Sequence, residues 1–127
     1  MGTLTIRARG PLGPDTVWER YDRPVLWPTW APHLKQVVYV PRRLLEGAEG
    51  QVIAVGGVRA RFVVTAVDRA TRTWAWRVRL GPLTLRLQHG VTPRHDGSAT
   101  WLRLDGPIAV ILPYAPLAHW ALRRLVR

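Results

Sequence analysis

Cysteine is absent from the 127 residues of the sequence. Disulfide bonds, thiolate nucleophiles and cysteine-ligated metals are therefore excluded. The four histidines, His33, His89, His95 and His119, form no short ligand motif, and the eight acidic residues fall mainly in predicted turns and helix ends. We expect neither a metal site nor a cofactor.

The sequence also lacks an apolar run long enough for a membrane span. Its most apolar stretch, residues 107–122, falls short of the roughly 18–20 residues that a span needs and contains Pro113 and Pro116. Residues 1–13 include Arg7 and Arg9, so the apolar core of a secretory signal is missing there. We expect a cytoplasmic protein without a transmembrane span, and peripheral membrane contact is left open.

Acidic residues are few beside the 19 lysines and arginines, which give a net charge of +11. All the basic residues except Lys35 are arginines, and many alternate with apolar residues, as Arg59 and Arg61 do. Such spacing is typical of the solvent-facing side of a half-buried strand. A basic surface module for nucleic acid or anionic membrane is therefore a secondary alternative, with nucleic acid disfavoured as a partner.

Hydrophobic periodicity divides the chain into strands and helices. Residues 3–9 alternate as a strand, residues 16–22 have helical spacing after Asp15 as the predicted N-cap, and Pro24, Pro28 and Pro32 then allow only a second short helix or turn. Further strands are predicted at residues 37–40, 51–55, 58–67, 72–80, 83–91 and 99–104, with Gly56-Gly57 as a hairpin turn. A helix, interrupted or kinked by Pro113 and Pro116, follows to Arg127.

This order predicts an α+β fold in which a curved antiparallel sheet of about six to seven strands surrounds a long C-terminal helix. Two short helices follow the first strand, and residues 1–127 form one domain. This is the helix-grip arrangement.

Several segments along the chain resemble the START-like polyketide cyclase/dehydrase and lipid-transport superfamily, also called SRPBCC. They are Val17-Trp18, Trp27-Pro28-Thr29-Trp30-Ala31-Pro32, Glu46-Gly47, Thr73-Trp74-Ala75-Trp76 and Gly106-Pro107. The similarity spans nearly the whole chain and implies a container between the sheet and the last helix. Members of the superfamily include carriers of hydrophobic ligands and polyketide aromatases and cyclases.

Strand alternation assigns side chains to the two faces of the sheet. Phe62 and Val64, Trp74 and Trp76, and Leu85, Leu87 and His89 are predicted to face inward, as are Ala66 and the set Thr100, Leu102 and Leu104. Arg61, Arg77 and Arg86 should be exposed. On the last helix, the predicted inward stripe is Ile108, Ile111, Leu112, Ala115, His119, Leu122 and Val126. Trp18 and Trp120 are assigned to helix packing.

The predicted ligand-binding residues are those expected to border the container. They are Trp27, Trp30, Phe62, Val64, Trp74, Trp76, Leu85, Leu87, His89, Ile111, Leu112, Ala115 and His119. Aromatic walls suit flat or polycyclic ligands, although they also suit an ordinary core.

His89 and His119 are the weak catalytic candidates, because both are predicted to face inward and could transfer a proton. No nucleophile, base and orienting group have a spacing that identifies a catalytic unit. The favoured function is therefore binding or carrying of a hydrophobic small molecule, such as a lipid or polyketide-like metabolite. A polyketide cyclase, aromatase or dehydratase is the alternative, and whether the protein is an enzyme is left open, as are the ligand's identity and the oligomeric state.

Overall fold

The structure is a computed structural model that describes residues 2–127. Within this range the strands are β1 (Gly2–Gly10), β2 (Leu34–Val38), β3 (Glu49–Ala54), β4 (Arg59–Asp68), β5 (Thr73–Leu80), β6 (Leu83–Arg94) and β7 (Gly97–Gly106). The α-helices are α1 (Pro14–Asp22), α2 (Trp27–Trp30) and α3 (Ile108–Leu125), and a turn of 3₁₀-helix spans Pro24–Leu26. The predicted α+β architecture, with two short helices after the first strand, is confirmed.

The strands form one antiparallel sheet in the order β1-β7-β6-β5-β4-β3-β2. Strands β2 to β7 make a meander, whereas β1 returns beside β7 and pairs along its whole length, from Gly2 opposite Gly106 to Gly10 opposite Ser98. Gly56 turns the β3–β4 hairpin with a φ of 97°, a conformation that glycine adopts without steric penalty. The sheet and the long C-terminal helix confirm the helix-grip prediction.

Strand alternation separates an apolar inner face from an arginine-bearing outer face. Phe62 and Leu87 are buried and Trp76 is half-buried, while Arg61, Arg77 and Arg86 are exposed. The inward set of the last strand is also confirmed, since Thr100, Leu102 and Leu104 are buried. Because successive side chains of a strand point to opposite faces, the apolar residues are buried while the guanidinium groups stay hydrated.

An irregularity in β4 reverses the alternation near its end. Val64 pairs with Trp76, but the next partner of β5, Ala75, lies opposite Ala66, so Thr65 is an extra residue. A β-bulge of this kind turns the following side chains to the other face. The prediction that Ala66 faces inward is therefore wrong: Ala66 is exposed and Val67 packs against the core.

Helix α3 packs across the inner face of the sheet, but with a different rotation from the predicted one. Its buried residues are Ile111, Ala118, Ala121, Leu122 and Leu125, whereas Ile108, Leu112, Leu117, His119 and Trp120 are exposed. The inward assignments of Ile108, Leu112 and His119, and the packing role of Trp120, are therefore wrong. The physical reason is that α3 is apolar on nearly every side, so hydrophobic periodicity does not fix its rotation.

Helix α3 is continuous from Ile108 to Leu125 through Pro113 and Pro116, so the predicted interruption of this helix is wrong. Both prolines are exposed, and the carbonyl groups that lose a donor belong to Ala109 and Leu112, two exposed residues that water can reach.

None of the helices in the described part of the chain is long and apolar enough to cross a membrane.

Helix α1 connects the C-terminal end of α3 to the loops at one end of the sheet. Arg20 donates to the carbonyl oxygens of Arg124 and Leu125, at 3.2 and 2.9 Å. The buried Asp22 carboxylate accepts from Arg43 at 3.1 Å and from Arg69 at 2.8 Å. Removing a carboxylate from water is costly unless it is paired, so the two guanidinium groups permit its burial and hold both loops in place.

Asp15 lies in the first turn of α1, so the prediction that it is the N-cap is wrong. The residue at the cap position is Gly13, which makes no side-chain hydrogen bond there, and Pro14 begins the helix. The Asp15 carboxylate instead accepts from Arg72 at 2.6 Å. A proline at the first helical position already removes one unsatisfied N–H group and presets the helical φ.

Candidate functional site

A cavity of about 210 Å³ lies between the inner face of the sheet and helices α2 and α3. It is lined by Trp27, Trp30, Ala31, His33, Leu34, Val52, Ala54, Val58, Ala60, Trp74, Trp76, Val78, Leu80, Leu85, Leu87, His89, Leu102, Val110, Tyr114, Ala118, Ala121 and Leu122. None of these described lining residues is an Asp, Glu, Lys or Arg. The cavity therefore suits an uncharged, mainly apolar molecule.

Aromatic rings form one wall of the cavity and brace one another. Trp27 stacks on Trp74 with ring centroids 5.5 Å apart and contacts Trp76 at 5.0 Å and Phe62 at 5.5 Å. Tilted and offset arrangements at these separations are favourable for aromatic pairs. Because each ring is held by several others, the wall is a preformed surface rather than a set of independent side chains.

A chain of hydrogen bonds begins at Trp76 and His89 in the cavity wall and continues into the core. Trp76 Nε1 donates to His89 Nε2 at 3.0 Å, and His89 Nδ1 lies 3.2 Å from the Tyr21 hydroxyl oxygen. That hydroxyl lies 2.6 Å from Thr100 Oγ1, which donates to the Gly90 carbonyl at 2.9 Å. An indole N–H can only donate, so neutral His89 carries its proton on Nδ1, and the donations run in one direction from Trp76 to Gly90.

Burial keeps His89 and Tyr21 neutral at physiological pH. It lowers the pKa of His89 to about 3 and raises the pKa of Tyr21 well above its usual value. The only lone pair on the His89 ring is already occupied by the Trp76 N–H. His89 therefore cannot act as a general base unless that hydrogen bond is broken, and its geometry is that of a packed, oriented wall residue.

Trp74 differs from the other cavity tryptophans in its hydrogen bonding. Trp27 and Trp30 donate their indole N–H groups to backbone carbonyls at 2.9 and 3.1 Å, and Trp76 donates to His89. The Trp74 Nε1 atom is buried and has no acceptor among residues 2–127. A buried donor without an acceptor costs free energy, but this N–H lies within the wall, so an acceptor atom on a bound molecule would reach it only if the Trp74 ring shifted.

His33 and Tyr114 form a second polar contact at the cavity, between α3 and the segment before β2. The Tyr114 hydroxyl lies 3.2 Å from His33 Nε2, and His33 Nδ1 is buried without a partner in the described residues. Burial lowers the pKa of His33 and raises the pKa of Tyr114 to about 12. Both groups are neutral at pH 7, and His33 retains one free hydrogen-bonding position.

The structure brings seven of the predicted ligand-binding residues to the cavity surface. They are Trp27, Trp30, Trp74, Trp76, Leu85, Leu87 and His89. Phe62, Val64 and Ile111 are buried, but they do not line the cavity, and Ala115 is half-buried outside its lining. Leu112 and His119 are exposed on α3 because of its rotation, so His89 and His119 do not meet across the container.

Sequence reasoning missed Tyr21, His33 and Tyr114. Tyr114 lies three residues after Ile111 and four before Ala118, both buried, so its helical spacing would have identified it once the rotation of α3 was known. His33 follows Pro32 in an irregular segment, where no periodicity exists to assign it a side. No group of three or more His, Asp or Glu residues that could hold a metal ion occurs within the described range.

Comparison of the sequence with protein families shows a match along residues 1–127 to the family described as polyketide cyclase/dehydrase and lipid transport. The chain belongs to this family. The resemblance read from the tryptophan and proline segments is thereby confirmed. Family and fold together support a protein that binds a hydrophobic ligand or resembles a polyketide cyclase. The sequence matches no curated protein.

Solved structures with the same fold come from bacteria and plants. Protein MLL2253 from Mesorhizobium loti has a TM-score of 0.83 and 16% identity, over 98% of this chain and 93% of that one. The ginseng major latex-like protein 151 from Panax ginseng has a TM-score of 0.78 and 14% identity, over 98% and 94%. The di-domain ARO/CYC BexL from the BE-7585A biosynthetic pathway has a TM-score of 0.82 and 14% identity, over 99% of this chain and 45% of that one. At such identities the likeness shows the fold alone.

Proposed function

We propose that the protein binds a small, uncharged, mainly apolar molecule that carries a hydrogen-bond acceptor, and that the molecule occupies the cavity between the sheet and α3. The observation that carries this proposal is the cavity lining, which has no charged residue and is formed on one side by aromatic rings. The acceptor is proposed because the Trp74 indole N–H in that wall is unpartnered and a shift of the ring would bring it to the ligand. Apolar contact supplies most of the affinity, and the acceptor orients the ligand.

The cavity volume limits the size of the ligand. An apolar cavity of about 150 Å³ admits benzene. Pockets for drug-sized molecules are typically about 300–1,000 Å³. A volume of about 210 Å³ lies between these cases and suits one or two fused rings or a short acyl chain. A bicyclic ketone such as 1-indanone has the required shape and one carbonyl acceptor.

Binding without chemistry is favoured because the polar groups linked to His89 already use their hydrogen-bonding capacity within the protein. His89, Tyr21 and Thr100 each use their hydrogen-bonding groups on one another or on neighbouring residues. A general acid or base needs a proton or a lone pair that it can direct at the substrate. The chain through His89 offers neither, and its role in the proposal is to hold Trp76 and Tyr21 in position.

The cavity is tested by titrating the protein with 1-indanone and with indane, which has the same ring system without the oxygen. Ala118, buried against the cavity, is replaced in Ala118→Phe, and the exposed Ala109 of the same helix is replaced in Ala109→Phe as the matched control. We expect Ala118→Phe to weaken both ligands about tenfold or more, because its ring occupies their space. Ala109→Phe should leave both affinities unchanged within about twofold. Equal effects of the two variants would refute binding in the cavity.

Trp74→Phe tests the role of the indole N–H. Phenylalanine keeps one aromatic ring at this position but removes the donor together with the second ring of the indole, so the affinity for 1-indanone should fall about two- to tenfold more than that for indane. The titration is followed by nuclear magnetic resonance, in which the indole N–H signal lost in the variant is that of Trp74. An unchanged ratio of the two affinities would show that Trp74 contributes contact area alone.

A polyketide cyclase is the second candidate, and the His33–Tyr114 pair is the observation that favours it. Both residues line the cavity, and the Tyr114 hydroxyl could turn from His33 Nε2 to a substrate carbonyl. Incubation with a poly-β-ketone analogue, followed by mass spectrometry, decides between the candidates. Cyclised or dehydrated product that is lost in Tyr114→Phe would replace the binding proposal with catalysis, whereas an unaltered analogue supports binding.

A further inference from the structure

The outer face of the sheet carries a compact group of arginines that the cavity does not use. Arg59 and Arg61 project from β4, Arg77 and Arg79 from β5, and Arg86 from β6. All five are exposed, and they lie on three neighbouring strands. We refer to these five residues as the outer arginine group.

Strand register places several of these positive charges directly opposite one another. Arg61 pairs with Arg79 across β4 and β5, and Arg77 pairs with Arg86 across β5 and β6. Directly opposed residues on an antiparallel pair have Cβ atoms about 4.5–5.5 Å apart, and like charges in such positions are destabilising. The fold therefore tolerates a repulsion between these arginines that an acidic residue at one position of each pair would remove.

Carboxylates do not neutralise the group. Within the described part of the chain, ion pairs involve Arg43, Arg69, Arg72, Arg94 and Arg103, and none involves a member of the outer arginine group. Asp105 lies opposite Arg86, but its carboxylate is 3.6 Å from Arg103 and accepts from Thr3. Glu49, opposite Val63 on β4, is also exposed on the outer face, but none of the ion pairs in the described part of the chain joins it to the group. Five arginines therefore face only these two neighbouring carboxylates, and the potential at β4 and β5 remains positive.

Part of the group borders a groove of about 600 Å³ on this face, lined by Gln51, Arg59, Arg61, Arg79 and Gly81. Gln51 lies opposite Arg61 and adds an amide donor. Gly81 turns the β5–β6 hairpin with a φ of 57°, and no side chain or backbone lies within 4 Å of where its Cβ would be. The groove thus presents three guanidinium groups around an accessible space.

From this arrangement we infer that the groove binds an oligophosphate group, meaning two or more linked phosphates. Guanidinium groups bind phosphate oxygens through paired, charge-assisted hydrogen bonds. Directly opposite residues on adjacent strands and residues two apart on one strand are separated by roughly 5–7 Å, which lets long side chains converge on one ligand. A ligand with several negative charges would also remove the repulsion between Arg61 and Arg79.

The lining of the groove favours a compact oligophosphate over a nucleic acid. Single-stranded nucleic acids are bound by proteins that stack bases on exposed aromatic rings. The groove contains no aromatic residue, and Trp101, which shares the outer face, packs over Gly90 two strands away from β4. The proposal is independent of the cavity, because the groove and the cavity lie on opposite faces of β4 and β5.

The test measures binding of inorganic tripolyphosphate by calorimetry at constant ionic strength. One variant combines Arg59→Gln, Arg61→Gln and Arg79→Gln, and the control combines Arg7→Gln, Arg9→Gln and Arg123→Gln, which removes the same charge from exposed arginines outside the groove. We expect saturable binding that the groove variant weakens about tenfold or more. The control should change the affinity by less than about threefold, because distant charges are screened.

Two further ligands identify the source of the phosphates. ADP competing with tripolyphosphate would indicate a free nucleotide, and vesicles of phosphatidylinositol phosphate competing with it would indicate a lipid headgroup. Equal losses in the two triple variants, or no saturable binding, would overturn the inference. Tighter binding of a single-stranded RNA without a terminal triphosphate than of tripolyphosphate would also overturn the inference, because it would show that the arginines bind nucleic acid. Retained binding of 1-indanone by the groove variant shows that the cavity is intact, so the two proposals fail separately.

Discussion

The two faces of the sheet are made by the same strands but obey different physical rules. On the inner face, Trp74, Leu87 and Leu102 are buried against other apolar groups. Hydrogen bonds there link the polar atoms of Trp76, His89, Tyr21 and Thr100. On the outer face, Arg61 and Arg79 oppose each other without an acidic partner. The inner face is organised for packing, whereas the outer face carries charge that packing does not require.

This difference shows where stability and where interaction are expected to reside. Buried apolar area supplies most of the folding free energy, and exposed charges contribute little to it. Changes on the inner face should therefore alter stability strongly, and changes on the outer face should alter it weakly while changing anion binding. Three measurements test this separation.

Removal of the Trp27 side chain is the largest expected effect. Trp27 is 1% exposed, contacts three other aromatic rings and donates its indole N–H to the Tyr21 carbonyl. Trp27→Ala should lower the free energy of unfolding by about 3–5 kcal/mol, measured by urea denaturation. The control is Trp120→Ala, at a tryptophan that is 50% exposed, and it should change stability by about 0.5 kcal/mol or less. Similar losses in the two variants would remove the distinction between inside and outside.

The alternation of side chains along each strand determines how much of this structure the sequence predicts. A period of two assigns Phe62 and Arg61 to opposite faces, because a strand has only two sides and one of them faces water. The meander of β2 to β7 was predictable from this alternation and the intervening turns, whereas the pairing of β1 with β7 was not assigned from the sequence. The bulge at Thr65 was not, because an extra residue in one strand depends on pairing with its neighbour and leaves no mark in the pattern of one segment.

The cavity was predictable on its sheet side and much less so on its helix side. Trp74, Trp76 and His89 were assigned to the container by strand parity, and they line the cavity. Leu112 and His119 were misplaced because apolar residues surround α3, and the small side chains of Ala118 and Ala121 give no strong signal. The unpartnered Trp74 N–H depends on three-dimensional contacts, so no sequence pattern could reveal it.

Acidification is the second measurement, because it tests the neutral state of the inner face. Unfolded histidine takes up a proton below about pH 6.5, whereas burial keeps His89 neutral until about pH 3. Between these values the unfolded state binds more protons, so stability should fall as the pH is lowered, by up to about 1.4 kcal/mol per pH unit from His89. His33, whose pKa burial also lowers, adds a change of the same sign.

His89→Gln isolates the contribution of His89. Glutamine can accept from Trp76 and donate to Tyr21 without titrating, and His33 is unchanged in both proteins. The free energy of unfolding, measured in urea between about pH 7 and pH 5, should fall less steeply for the variant than for the native protein. Parallel pH profiles would mean that His89 is solvated or charged in the native state, and the separation of the two faces would be weaker than proposed.

Replacement of one outer arginine by an acid is the smallest expected effect, and it tests whether the charge on that face is a cost to the fold. Arg79 lies opposite Arg61 on β4 and Thr84 on β6, so Arg79→Glu converts a like-charge pair into an opposite-charge pair without creating a new repulsion across the strands. Stability should rise by about 0.2–1 kcal/mol. The rise should be larger at low salt, because exposed charges are screened. Arg7→Glu makes the same change in net charge opposite Trp101, where no arginine faces it, and should raise stability less. An equal rise in stability in both variants would assign the effect to net charge. A fall in the stability of Arg79→Glu alone would show that the outer arginine group stabilises the fold, contrary to the repulsion proposed between Arg61 and Arg79.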